Sequence, residues 1–295
     1  MLRFEEISLG ESELLRCGRC HGAGTETIRD AAAIIEDIDR ATDSWPGGPG
    51  PNLAFSGVEP FRHPRLAGIL AAAVEAGATR IRLDSDATAL SAPDASRLAI
   101  DSGVRHLQFE LRGSAASLHD PLAGGAGAFD ATLRGVAEFT RVAKELGCPI
   151  QISARVPVCP HNLRDLPGIV GAASKAGASF VRLVIEEPAL NMLTAAPWVE
   201  AACDTGIVRA TWVQVEGVPF CAATGWELHI ASVYQPAVGE KAELCGRCPL
   251  DAWCGGAIVG ASRSVTALFR PPPDAQRLAV CVSRGYTPPV VGAHG

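Results

Sequence analysis

The sequence contains no apolar run that approaches the ~20 consecutive residues of a membrane-spanning helix. Its first residues, MLRFEEISLG, are also too acidic and too poor in apolar side chains for a signal peptide. These two absences predict a protein with no membrane partner and with a cytoplasmic location.

Clustered positive charge is missing as well. The 26 lysine and arginine residues are scattered along the chain, and the formal net charge is -6. Proteins that bind a phosphate backbone carry a concentrated basic surface, so the sequence predicts no nucleic-acid partner. The hydrophobic fraction of 47% is sufficient for a sizeable core, in one large barrel-type domain or two ordinary ones.

Cysteine, in contrast, is abundant at ten residues. Because disulfides rarely persist in the cytosol, clustered cysteines are expected to bind a metal or a metal cluster. Two clusters fit this expectation: Cys17 with Cys20, and Cys245 with Cys248 and Cys254. Three isolated cysteines are predicted to be small buried hydrophobic residues, namely Cys148, Cys159 and Cys203.

A junction between a helical pattern and a strand-like run recurs five times. Each helical pattern stops at a glycine, which adopts the left-handed conformation at a helix end without a Cβ penalty. The five glycines are Gly77, Gly103, Gly147, Gly177 and Gly206. The runs Ile150 to Val156 and Phe180 to Ile185 are short and rich in β-branched residues, which is typical of a parallel sheet covered by helices.

The spacing of these glycines, 26 to 44 residues, fits βα units joined by right-handed crossovers. The pattern predicts the α/β class, with ligands at the carboxyl ends of the strands. It leaves open a closed eight-stranded barrel, an open doubly wound sheet and a partial barrel. After about Cys221 the repeat ends in a segment rich in Gly, Pro and Cys, which predicts a small domain stapled by metal.

Three stretches carry a more specific pattern. The first is Asn52 to Pro64, NLAFSGVEPFRHP, and the second runs from His106 to Gly135. The third joins Val218-Pro-Phe-Cys221 to CGRCPLDAWCGG, which begins at Cys245. Together they resemble the radical S-adenosylmethionine (SAM) superfamily, and the third is similar to its auxiliary-cluster extensions of the SPASM and Twitch type.

The resemblance implies a partial (β/α)6 TIM-like barrel over residues 1–217, a small Cys-rich iron-sulfur segment over 218–285 and a tail over 286–295. It implies SAM and [4Fe-4S] clusters as cofactors. The residues that stand at the family's SAM-facing positions are Gly57, Glu59, Asp84, Glu110 and Arg155. Among them, Glu59 and Arg155 match family positions that contact the amino and carboxylate groups of SAM.

The family holds its SAM-binding [4Fe-4S] cluster with a C-x3-C-x2-C motif. Cys17 and Cys20 match the last two positions, but Glu13 stands at the first. With two thiolates the cluster lacks a ligand unless Glu13 or His21 supplies it, and both are less usual ligands of cluster iron than thiolate. A first helix through Ile28, Ala31, Ile35 and Ile38 is predicted to follow this motif.

Other SAM-facing positions also depart from the family pattern. Val58 replaces the second glycine of Gly-Gly-Glu-Pro, and its branched side chain would crowd the edge that approaches SAM. Asp84 begins a sequence that differs from the usual Asn-Thr-Asn-Gly type, and Glu110 replaces a small serine. Several departures around one ligand predict a remodelled or abandoned SAM site.

The second cysteine cluster supplies three of the four ligands that a metal cluster needs. Its fourth ligand could be Cys221 or Cys281, and the Val-Pro-Phe-Cys context favours Cys221. Four-thiolate sites are shared by structural zinc and [4Fe-4S] clusters, and the resemblance favours the iron-sulfur cluster. The adjacent His119 and Asp120 are predicted to cap a loop rather than to act as an acid-base pair.

These observations lead to one hypothesis and two alternatives. The first is an iron-sulfur protein with a degenerate SAM site, which serves as an accessory subunit to an active radical SAM enzyme or binds a peptide substrate in a peptide-modifying or specialised biosynthetic pathway. The second is an active radical SAM enzyme with unusual cluster ligation, which would also need a reductant. The third is a zinc-stapled binding protein on an α/β barrel.

Overall fold

The computed structural model describes residues 4–12, 26–46, 48–185, 190, 192–223, 225–231, 239–256 and 274–283. The strands are β1 Glu5–Ser8, β2 Gly10–Ser12, β3 Glu26–Ile28, β4 Asn52–Ser56, β5 Arg80–Ser85, β6 Val104–Glu110, β7 Gln151–Val158, β8 Phe180–Ile185 and β9 Trp212–Glu216. The helices are α1 Ala31–Asp43, α2 Leu66–Glu75, α3 Pro93–Asp101, α4 Ala116–Ala123, α5 Ala128–Glu145, α6 Leu166–Lys175, α7 Met192–Val208 and α8 Ala275–Ser283.

Seven of the strands form one parallel sheet in the order β1-β4-β5-β6-β7-β8-β9. Each new strand is added beside the previous one, as in βα units joined by crossovers. The prediction of a partial α/β barrel is confirmed, and its described sheet has seven strands where six were predicted. The remaining two strands, β2 and β3, form an antiparallel pair outside this sheet.

The chain divides into two compact units. The first unit comprises residues 2–154 and 176–178. Its strands alternate between two faces, and one face carries fully buried apolar side chains: Leu53, Phe55, Ile81, Leu83, Leu107 and Phe109. Helix α2 contributes Leu66, Ile69, Leu70 and Ala73 to the core, and α5 contributes Val136, Phe139 and Ala143.

The second unit comprises residues 155–175 and 179–295. Strands β8 and β9 pair in parallel from Phe180 opposite Trp212 to Val184 opposite Glu216. Beyond Gly217 the described residues form short 3-10 turns and helix α8. No further βα unit follows β9 in this described part.

Four of the five predicted helix stops are confirmed: Gly77, Gly103, Gly147 and Gly177 all have φ between 64° and 97°. The fifth prediction is wrong, because α7 continues through Gly206 to Val208. A Cβ at Gly206 would lie 2.5 Å from Val213 Cγ2 and 2.6 Å from the Thr211 carbonyl oxygen. Glycine is therefore required there for the close approach of the following strand, and Ala210 adopts the positive φ instead.

The first long helix also begins later than predicted. Ile28 lies in strand β3, and α1 starts after Asp30, whose carboxylate accepts the N–H of Ala32 at 2.8 Å. Such an N-cap satisfies one of the backbone donors left over at a helix start. No helix among the described residues is long and apolar enough to cross a membrane.

Candidate functional site

The predicted SAM-facing glycine edge follows strand β4. Gly57 has φ 99°, and a side chain at this position would clash with the carbonyl oxygen of Gly10. Val58 is 2% exposed, and its Cγ1 lies 2.7 Å from the place that a Cβ on Gly10 would occupy. The segment after β1 is thus packed directly against this edge.

Glu59 is held by the end of the neighbouring strand. Its carboxylate accepts the hydroxyl of Ser85, with oxygen–oxygen distances of 2.9 and 3.0 Å, and the N–H of Asp86 at 2.8 Å. It also accepts the N–H of Phe61 at 3.3 Å, as the N-cap of a 3-10 turn.

Burial raises the pKa of Glu59 from 4.5 to about 8, and the charge of Asp86 adds to this effect. Between these pH values the folded chain binds a proton that the unfolded chain has lost. Stability should therefore fall as pH rises from about 4.5 to about 8, by at most ~1.4 kcal/mol per pH unit.

Urea unfolding of wild type and of Glu59→Gln at pH 5, 6, 7 and 8 tests this expectation. The Glu59→Gln chain keeps an acceptor for Asp86 but does not titrate, so its free energy of unfolding should decline less over this range. If the free energy of unfolding declines equally with pH in the two chains, the pH dependence does not come from Glu59.

Asp84 belongs to a charged network on the sheet face opposite the apolar core. Arg82 donates to both Asp84 oxygens, from Nε at 2.6 Å and from Nη2 at 3.0 Å, and Gln108 Nε2 donates to Asp84 at 2.9 Å. Arg82 Nη2 also reaches Glu6 on β1 at 2.8 Å, and its guanidinium lies 4.8 Å from the Phe4 ring centroid. Arg82 is buried but fully compensated, as a buried charge must be.

The same face continues across β6 into β7. His106 Nε2 lies 2.8 Å from Ser153 Oγ, and the His106 ring contacts Phe4 edge to face. These polar positions alternate with the buried apolar ones of the core. In the second unit the pattern recurs, because Arg182 makes a two-point ion pair with Glu216 at 2.7 and 3.1 Å.

Two other predicted SAM-facing residues lie in different units. Glu110 ends strand β6, and its carboxylate accepts from Arg112 Nε at 2.6 Å, with the Arg112 side chain almost completely buried. Arg155 lies within β7, in the second unit. Each residue therefore occupies a strand, as the sequence predicted.

His119 and Asp120 both cap local structure. His119 is buried and its Nδ1 accepts the backbone N–H of Arg112 at 3.1 Å, while burial lowers its pKa. The Asp120 carboxylate accepts the N–H groups of Gly127 and Phe129 at the start of α5, and these bonds lower its pKa. This geometry agrees with loop capping.

The N-terminal cysteine motif falls outside the described residues, which include none of Glu13, Cys17, Cys20 and His21. Its two ends are described. Strand β2 pairs with β3 so that Ser12 stands opposite Glu26, and Gly10 lies against Gly57. Ser12 and Glu26, the described residues that flank the motif, are thus paired with each other, and their strand pair lies against the edge that follows β4.

The second cysteine cluster lies in residues 239–256, which we call the cysteine loop. Cys245, Cys248 and Cys254 are partly buried free thiols, and the N–H of Cys248 donates to the carbonyl of Cys245 at 2.8 Å. Burial raises the pKa of Cys248, and the charges of Cys254 and Cys245 act in the same direction. The fully buried Leu250 lies between Cys248 and Cys254 in sequence.

The donor set of this loop fits a thiolate-bound metal by its chemistry, because thiolate is the usual ligand of cluster iron and of structural zinc. In the described part of the chain, however, no group of three or more His, Cys, Asp or Glu side chains is placed to hold a metal ion. Cys221 is partly buried in a 3-10 turn and forms no disulfide, and the side chain of Cys281 falls outside the description. The fourth ligand stays a prediction.

Solved structures share this architecture. SuiB of Streptococcus suis bound to the precursor peptide SuiA matches with a TM-score of 0.53 and 13% identity, over 70% of this chain and 47% of SuiB. SuiB bound to S-adenosylmethionine matches with a TM-score of 0.52 and 14% identity, over 71% and 45%. The protein anSMEcpe with bound AdoMet and Cp18Cys peptide matches with a TM-score of 0.53 and 13% identity, over 71% and 62%.

The chain has the fold of SuiB and anSMEcpe, a radical SAM superfamily fold. It spans about half the length of SuiB. No protein-family model matches the sequence, and no curated protein matches it.

Sequence reasoning missed the charged face of this radical SAM fold. Glu6, Arg82 and Gln108 were not predicted as site residues, although they converge with Asp84. The signal was present as alternation of apolar and polar residues over much of these strands, as in RIRLD and HLQFE. In a parallel sheet covered on both faces the strands would instead be continuously apolar.

Proposed function

We propose that this chain is an iron-sulfur protein with a radical SAM fold and an abandoned SAM site, which acts as an accessory subunit in a peptide-modifying or specialised biosynthetic pathway. The observation that carries the proposal is the closed edge after β4. Val58 is packed against Gly10, and the Glu59 carboxyl is occupied by Ser85 and Asp86.

The charge state of Glu59 supports the same conclusion. The family resemblance assigns this residue to the amino group of SAM. With a pKa of about 8, the carboxyl is largely protonated at neutral pH, and a neutral carboxyl attracts an ammonium group far less than a carboxylate does. The carboxylates of Asp84 and Glu110 are likewise ion-paired, with Arg82 and Arg112 respectively.

The cysteine loop would supply the remaining cofactor. Cys245, Cys248 and Cys254 would hold a [4Fe-4S] cluster, with Cys221 or Cys281 as the fourth ligand. Such a cluster transfers single electrons, and its binding energy also stabilises a segment with little core.

A peptide is the partner that the comparisons favour. The SuiB structure contains the bound precursor peptide SuiA, and the anSMEcpe structure contains a bound peptide. We extend this class of partner to the present chain, either as a substrate that the chain binds or through an active radical SAM enzyme that modifies it.

Calorimetric titration of SAM into the anaerobically purified chain tests the abandoned site. We expect no binding at SAM concentrations of tens of micromolar, because both the methionine edge and the amino-group ligand are occupied by the protein. An active radical SAM enzyme titrated in the same buffer serves as the positive control. Micromolar affinity, or 5′-deoxyadenosine formation with dithionite, would overturn the proposal.

One observation favours an active enzyme as the second candidate. Gly10 on β2 lies against Gly57, and Ser12 stands opposite Glu26 on β3. In an active enzyme the motif that joins these two strands would hold a cluster through Cys17, Cys20 and either Glu13 or His21. Iron analysis separates the candidates, since one [4Fe-4S] cluster contributes about four irons and two contribute about eight. Bound zinc without iron would indicate the zinc-stapled binding protein.

A further inference from the structure

The cysteine loop is closed by two contacts of its own. At its ends, the carbonyl oxygen of Glu240 lies against Gly256, whose φ is 76° and where a side chain would clash with that oxygen. Further inside, Lys241 Nζ donates to the backbone oxygen of Asp251 at 2.7 Å and to its carboxylate at 2.9 Å. The second contact therefore spans Cys245 and Cys248.

The two bonds fix the position of the Lys241 ammonium group. A lysine held only by a carboxylate on a mobile side chain could follow it into solvent, whereas the bond to the Asp251 carbonyl ties the ammonium to the main chain of the loop. Asp251 lies between Cys248 and Cys254, and the thiols of Cys254 and Cys245 both act electrostatically on Lys241. A positive charge is thus anchored to the cysteine loop, where it interacts with two of the predicted cluster ligands, Cys245 and Cys254.

The contact is too exposed to stabilise the whole protein. The side chains of Lys241 and Asp251 are 37% and 40% exposed, and an ion pair of this kind contributes about 0–1 kcal/mol. Its effect is therefore local, on the loop that carries the thiols and on any charge placed beside them.

We infer that Lys241 is a positioning residue for the C-terminal cluster: it holds the cysteine loop closed across Cys245 and Cys248, and it places a fixed positive charge beside the bound iron. The inference rests on the proposed function of this loop. Four thiolates give a cluster net negative charge, and a nearby positive charge favours its reduced state, since net charge and surroundings set the reduction potential.

The test compares full-length, iron-loaded chains with Lys241→Met, Lys241→Arg and Lys175→Met. Lys241→Met removes the bonds and the charge but keeps much of the apolar stem, and Lys241→Arg keeps the charge and its donors. Lys175 is an exposed lysine at the end of α6 and serves as the matched control. The measurements are iron release to a chelator, the midpoint potential from an EPR-monitored redox titration, and protease cleavage of the metal-free chain within residues 239–256.

For Lys241→Met we expect iron release and loop cleavage about two- to fivefold faster than in wild type, the range for a partly exposed ion pair, and a lower midpoint potential. Lys241→Arg and Lys175→Met should behave like wild type. If wild type holds iron in this loop and Lys241→Met matches it in release and in potential, the inference about Lys241 is overturned alone. If wild type holds no iron there, the proposed cluster and this inference are both overturned.

Discussion

Replacing Cys248 by alanine is expected to remove the C-terminal cluster completely, a loss of about four irons per chain. Cys248 lies between Cys245 and Cys254 in a loop whose described residues include a single short 3-10 turn. In a segment with so little core, metal binding energy is folding energy. Limited proteolysis should therefore cut the variant faster beyond residue 221, and iron analysis should show the loss directly. Cys245→Ala should behave in the same way.

Cys148→Ala provides the control for this experiment. Cys148 is also a partly buried free thiol, but it lies outside the cysteine loop, next to β7. This variant should keep its full iron content and its protease resistance. Cys221→Ala and Cys281→Ala, measured in parallel, identify the fourth ligand. Full iron content in Cys248→Ala would show that the cluster assignment is wrong.

Glu13→Cys is expected to give a gain of similar size in the opposite direction. The change restores the family's C-x3-C-x2-C spacing with Cys17 and Cys20. Since thiolate is the preferred ligand of cluster iron, the anaerobically reconstituted variant should hold about four more irons than wild type. EPR spectra of the reduced chain should show a second cluster. Glu13→Ser, which lacks both carboxylate and thiol, is the matched control.

Gain of this cluster should restore SAM binding only partly, because Val58 still covers the glycine edge. The double change Glu13→Cys with Val58→Gly should bind SAM better than either single change, a coupling expected for neighbours around one ligand. Val58 is buried, so its removal also costs stability, about 1–3 kcal/mol. If wild type already holds the N-terminal cluster and Glu13→Ala removes it, Glu13 is a ligand and the active-enzyme candidate is favoured.

Local sequence signals predicted much of the fold. The run Phe180 to Ile185 is a strand with those bounds, and the helix stop at Gly77 has the left-handed backbone that only glycine adopts readily. The predicted helix stop at Gly206 was wrong because a glycine can be required for close packing as well as for a turn. Whether Val213 passes close to it depends on the tertiary path of the chain, which a local pattern does not contain.

The site was less predictable for the same physical reason. The family resemblance located Glu59 and Asp84 at strand ends, but it gave no information on their partners. Glu59 meets Ser85, 26 residues away, and Arg82 meets Glu6, 76 residues away. Such contacts depend on strand order and register, and the local sequence pattern specifies neither.

The β2–β3 pair has a consequence for how the N-terminal motif could diverge. Because Ser12 and Glu26 stand opposite each other, the chain that joins them begins and ends at one place. Closing such a connection costs free energy that grows only slowly with its length, roughly 0.6 kcal/mol for each doubling. We therefore expect that a thiolate could be lost from the motif between these strands without unfolding the barrel, and that an intact motif from a relative could be grafted there.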